Sequence, residues 1–104
     1  MKYIFEIKIK PGHTTEEYVE AWKRGSAMIQ KSAGARGTRL YRKIGESGVL
    51  LAIADWVSKG ARDAAMTQLD HVDMETQKII HAHEAYGELT KVGAYDKTEW
   101  SVMP

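Results

Sequence analysis

No cysteine occurs anywhere in the chain, so disulfides, thiolate metal centres and thiol nucleophiles are all excluded. No charge of one sign dominates either: 15 basic and 14 acidic side chains leave a formal net charge of +1. The long-range field that draws in nucleic acid or an anionic membrane is missing, and neither is expected as a partner. No apolar run approaches the ~20 residues of a membrane-spanning helix. The opening MKYIFEIKIK interleaves charge with apolar side chains where a signal peptide needs a continuous apolar core. A Walker loop, GxGxxG, HExxH and an ordered Ser, His and Asp set are absent as well, so nucleotide, zinc-protease and serine-hydrolase templates lack support. With 104 residues, two prolines and no low-complexity tract, the expectation is one cytoplasmic domain over residues 1–104, long enough for a real core.

What the chain does contain is one run that is apolar on both alternating faces, Val49 to Val57, reading VLLAIADWV. Val49, Leu51 and Ile53 fall on one side, with Leu50, Ala52, Ala54 and Trp56 on the other. A strand wetted on one face alternates apolar with polar, so this one is expected mid-sheet with both faces covered.

The rest of the chain arranges itself around that run. Residues Tyr3, Phe5, Ile7 and Ile9 alternate with Ile4, Glu6, Lys8 and Lys10, the period of a strand, which Pro11-Gly12 stops. Thr14 stands three residues before Glu17, the spacing of a capping box. A helix is predicted from about Thr15 to Ala33, with Tyr18, Trp22, Gly25 and Ile29 turned inward and Gly34 as its stop. Arg36 to Ile44 reads as an edge strand carrying charge on both faces, and Gly45 to Gly48 as a hairpin turn. Ser58 is placed to cap the next helix, whose inner stripe is Ala61, Ala65, Leu69 and Val72. The pattern breaks near Asp70 to Asp73, and a second helical piece runs to about Tyr86, turning Ile79, Ile80, His83 and Tyr86 inward. Gly87 ends it, and Glu88 to Tyr95 is the last strand.

The order strand, helix, strand, strand, helix, strand predicts an α+β, ferredoxin-like βαββαβ domain. It has a four-stranded antiparallel sheet, both helical segments on one face, and the first and third strands central. Helices on one face leave the back of the third strand bare. The simplest cover is a second copy of the chain, so a homodimer through the sheet faces is expected, forming a dimeric α/β barrel.

In element order and length nearly the whole chain resembles the dimeric α/β-barrel superfamily, in particular its small antibiotic-biosynthesis monooxygenase domains. The local feature that carries the resemblance is Asp55-Trp56-Val57-Ser58, an acidic residue and a tryptophan ending the third strand before a capped helix. The resemblance implies a small dimeric enzyme acting on a small aromatic or quinone-like compound, as in cofactor-independent monooxygenases. No bound cofactor is implied. Many such relatives carry a histidine in the following helix, where Ala65 or Met66 stands here. The alternative reading is a non-enzymatic ligand-binding or assembly module, and a third is haem binding, which needs an axial histidine facing an open cleft.

Four histidines, His13, His71, His81 and His83, are the candidates for proton transfer. His81 and His83 lie about 200° apart on a helix and do not share a metal. His71 and Glu75 have the i, i+4 spacing of a ligand pair but lack a third partner, so no metal site is expected. His83 interrupts an inward apolar stripe, where a titratable ring serves as a general base or as a hydrogen-bonded core residue. His83 and His71 are the candidate catalytic residues. Trp22, Trp56, Tyr86 and Tyr18 are the candidate walls of a pocket for a flat apolar ligand. Arg39, Tyr41 and Lys43 share a face of the edge strand, as a solvated edge or an anion site. Asp55 is either a helix-start anion or a pocket carboxylate.

Overall fold

A computed structural model describes residues 1–104. Four strands, β1 (Lys2–Ile9), β2 (Ala35–Arg42), β3 (Val49–Trp56) and β4 (Gly87–Tyr95), form one antiparallel sheet in the order β2-β3-β1-β4. Three helices, α1 (Thr15–Ile29), α2 (Lys59–Leu69) and α3 (Met74–His81), complete a ferredoxin-like βαββαβ arrangement, α3 running on into a 3-10 turn over Ala82–Ala85. The two strands richest in apolar residues are the central ones, because only a central strand has neighbours on both edges to shield it.

The ladder between β1 and β3 pairs Ile7 with Leu50 and Phe5 with Ala52. Partners directly opposite share a face, and this face meets the helices. Ile7, Leu50 and Ala52 close with Tyr18 of α1 into the buried core, to which Phe5, Trp22 and Leu40 add their flanks. The opposite face carries Ile4 against Ile53 and Glu6 against Leu51, with Arg39 and Tyr41 of β2 alongside. No element of this chain covers it, and Tyr41 is 46% exposed.

The helix starts follow their local chemistry. Thr14 and Glu17 close the full capping box, the Thr14 hydroxyl accepting from the Glu17 amide and the Glu17 carboxylate from the Thr14 amide. Ser58 caps α2, and Asp73 caps α3 by accepting from the Thr76 amide at 2.7 Å. The ends differ from expectation. Helix α1 stops at Ile29, four residues short of Ala33, because the chain tightens into i→i+3 bonds from Lys31 to Met28 and from Ser32 to Ile29. The Gln30 side chain there leaves the helix to accept the Gly37 amide of β2 at 2.7 Å. Gly34, at φ +85°, supplies the left-handed residue that turns the chain into β2 rather than the one that ends the helix.

Two glycines are places of close approach. A Cβ on Gly25 would stand 2.9 Å from the Ile80 carbonyl oxygen and 3.0 Å from that of Ile79. The absence of a side chain there lets α1 and α3 lie backbone to backbone. A Cβ on Gly87 would meet the Tyr18 ring at 2.7 Å and Ile7 at 2.8 Å, so Gly87, the first residue of β4, makes room for the buried tyrosine.

Candidate functional site

Between α1, the 3-10 turn and the helix-facing side of the sheet lies a cavity of about 130 Å³. Its position follows from residue size. Trp22 and Tyr18 reach down from α1, and Ala52 and Ala54 of β3 each carry only a methyl group, so a gap stays open above the middle of the sheet. Ten of its 14 lining residues are hydrophobic, and the rest are Ser26, Gln30, Thr38 and His83. No carboxylate, ammonium or guanidinium lines it.

Tyr18, Trp22, Trp56 and His83 all line this cavity, brought together from α1, β3 and the 3-10 turn. Tyr86 does not. Beyond His81 the chain winds in 3-10 form, with three residues per turn instead of 3.6, and Tyr86 comes to rest edge-on against His13 at 5.2 Å. His71 is exposed in the turn between α2 and α3, outside the cavity. No three His, Asp or Glu side chains come together as a metal-ligating group. Asp55 is neither a pocket carboxylate nor a helix-start anion: it faces the other side of the sheet, paired with Lys2. On the edge strand, Lys43 pairs with Glu46 at 2.7 Å and Arg42 with Glu16 at 3.7 Å.

The sequence pattern missed Tyr3, Phe5, Thr38, Ser26 and Gln30 as lining residues. The signal for the first two was present, since they share the face of Ile7 on β1. Ser26 and Gln30 continue the Trp22 stripe of α1 at intervals of four, but their polarity hid them. Tyr3 is also held from outside: the Arg62 guanidinium stacks on its ring at 3.6 Å, and the Lys91 ammonium lies 5.1 Å from the same ring. Two cations thus border the cavity without entering it.

The electrostatics centre on two rings. Tyr18 and His83 meet edge to face, centroids 5.5 Å apart, and neither the Tyr18 hydroxyl nor His83 Nδ1 has a hydrogen-bond partner, although both atoms are sealed from the surface. Leaving such a group unpaired costs about 1–3 kcal/mol. Burial pushes the Tyr18 hydroxyl well above the ordinary phenol range, with the charge of Glu84 adding to the effect, so it stays protonated as a donor. Burial also lowers His83 below the usual imidazole value; Glu84 opposes this, His81 assists it, and the Ile80 backbone opposes it weakly. His83 is therefore neutral at neutral pH, and with Nδ1 sealed, Nε2 is the nitrogen left to exchange a proton.

A half-enclosed aromatic cavity, a neutral histidine at its wall and a ferredoxin-like frame define a class of small α+β proteins with a pocket between sheet and helices. Residues 1–76 match the family model described as antibiotic biosynthesis monooxygenase, and the chain belongs to that family. His83 lies beyond the matched segment. No curated protein matches the sequence. Among solved structures the chain is similar to SnoaB, a cofactor-independent oxygenase from Streptomyces nogalater, with a TM-score of 0.74 at 13% identity over 93% of this chain and 92% of that one. A putative antibiotic biosynthesis monooxygenase from Bacteroides thetaiotaomicron superposes with a TM-score of 0.67 at 13% identity, over 100% and 95% of the two chains. A protein from Arabidopsis thaliana gives 0.70 at 11% identity, over 97% and 98%. At these identities the likeness is one of fold.

Proposed function

We propose that this protein is a small dimeric oxygenase that oxidises an aromatic or quinone-like phenol with molecular oxygen and no bound cofactor. The observation that carries the reading is the apolar cavity with a neutral, half-buried His83 at its wall, in a chain of this family. His83 Nε2 takes the phenol proton, and the dry surroundings leave the resulting anion electron-rich. The ring carbon para to the phenolate then gives electrons to oxygen and forms a C–O bond. Its own hydrogen and the proton held by His83 leave with the distal oxygen as water, and the carbon keeps the other oxygen as a carbonyl. One phenol and one O₂ thus become one quinone and one water.

Oxygen uptake by the purified protein with chelator present tests this: one O₂ consumed per quinone formed is the expected result. Saturable binding with no oxygen uptake would replace the enzyme by a ligand-binding module.

The same proposal includes the second copy. Ile4, Leu51 and Ile53 form an apolar strip on the uncovered sheet face, and a two-fold axis lets that strip meet itself. Sedimentation at micromolar concentration is expected to show a dimer and Ile53→Lys a monomer, since the variant sets a like charge against its own image. A wild-type chain that sediments as a monomer would remove the dimer from the proposal.

A further inference from the structure

We infer that the cavity selects a neutral ligand of one aromatic ring carrying a hydroxyl group, and rejects both fused three-ring compounds and carboxylates. The inference rests on the reading of this cavity as the ligand site, and sharpens it to a size and a charge.

Size comes first. Pockets that take drug-sized ligands enclose roughly 300–1,000 Å³, whereas an apolar cavity of about 150 Å³ accommodates benzene. The space here is about 130 Å³, which matches one ring. On its inner side it is bounded by elements that do not yield easily. Trp56 is 3% exposed and Ile80 6%, and Ile80 belongs to the α3 backbone that rests directly against Gly25. Widening the cavity from that side means separating α1 from α3.

Charge comes second. The four lining residues that are not hydrophobic are neutral in their ordinary states, Ser26, Gln30 and Thr38 by constitution and His83 by burial. Part of their capacity is already used: the Gln30 carbonyl oxygen accepts from Gly37 at 2.7 Å, and the Thr38 hydroxyl donates to the Ile53 carbonyl at 3.3 Å. A carboxylate placed among them loses its water and gains no counter-ion, the costliest form of burial. Arg62 and Lys91 do not supply one, because both lie against the Tyr3 ring rather than among the lining residues.

The hydroxyl is the third element. Gln30 lines the cavity, and beside the oxygen that accepts from Gly37 its amide nitrogen remains as a donor. A ligand oxygen is the complement of that donor, and a plain hydrocarbon is not.

The test is anaerobic titration followed by tryptophan fluorescence in a Trp100→Phe background. That change removes the exposed tail fluorophore and leaves Trp22 and Trp56 on the cavity wall. Hydroquinone, 4-hydroxybenzoate, toluene and 1,8-dihydroxyanthrone are the probes. Saturable quenching by hydroquinone is expected, at least tenfold tighter than that of each of the other three. Ala54→Leu, which fills the cavity from the sheet, abolishes it; should that variant not fold, Ile29→Phe fills the same space from α1. The inference is overturned if the three-ring compound, the carboxylate or toluene binds as tightly as hydroquinone, if no probe binds, or if the filled variant binds like the parent. Oxygen uptake run in parallel separates this from the proposed activity. Single-ring binding without uptake keeps the selectivity and removes the oxygenase; three-ring binding with uptake does the reverse.

Discussion

Gly25→Ala is expected to destabilise the protein, against the ordinary direction of that substitution. In an exposed helix interior alanine is favoured over glycine by about 1 kcal/mol. Here the added Cβ would stand 2.9 and 3.0 Å from two carbonyl oxygens of α3, and backbone atoms do not rotate aside as a side chain would. Overpacking of this kind costs about 1–3 kcal/mol and sometimes more, so the net is a loss, read as about 4–8 °C of midpoint for each kcal/mol in a domain of this size. Gly60→Ala is the control. It lies in the first turn of α2 with only the Ser58 hydroxyl oxygen near, at 3.9 Å, and is expected to be neutral or stabilising by up to about 1 kcal/mol. If both variants raise the midpoint in thermal unfolding followed by circular dichroism, α1 and α3 are not in backbone contact. The walls that confine the cavity would then be loose.

The second large effect is at His83. His83→Gln keeps a polar side chain of similar reach but removes the base, and kcat for an accepted phenol is expected to fall about 10²–10⁴-fold while KM changes little. The pH dependence carries the sign. The base is the neutral ring, and burial holds its pKa below the ordinary value of 6.5. The wild-type kcat/KM therefore stays level as pH falls to about 6.5 and drops only at more acid pH, as the ring is protonated. In the glutamine variant that acid limb disappears. An unchanged kcat, or an acid limb that survives the substitution, would take the proton transfer away from His83.

Much of the frame was legible along the chain, because its causes are local. Thr14 and Glu17 mark a helix start through bonds spanning three residues, and Ser58 and Asp73 do the same. Strand β3 announces its central place through apolar side chains on both faces, and β1 matches it through the apolar face of Tyr3, Phe5, Ile7 and Ile9. Less was legible where a distant partner decides. The early end of α1 depends on Gln30 turning to the Gly37 amide, and the ion pair of Asp55 depends on Lys2 lying opposite it in the ladder. Of the aromatic residues grouped by helical spacing, Tyr18 and Trp22 face the cavity. Tyr86 does not, since the 3-10 turn between His81 and Gly87 changes the phase on which the spacing rests.

Alone, the residue order determined the element order, the central strands, the capped helix starts and the apolar stripes. Side-chain alternation and helical periodicity are properties of the backbone within a few residues, which is why these could be read directly. Only the tertiary structure decided that a cavity exists, how large it is, and that His83 rather than His71 stands at its wall. A cavity is a mismatch between surfaces drawn from β1, β3, α1 and α3, and no local pattern records the volume left when such surfaces close on one another.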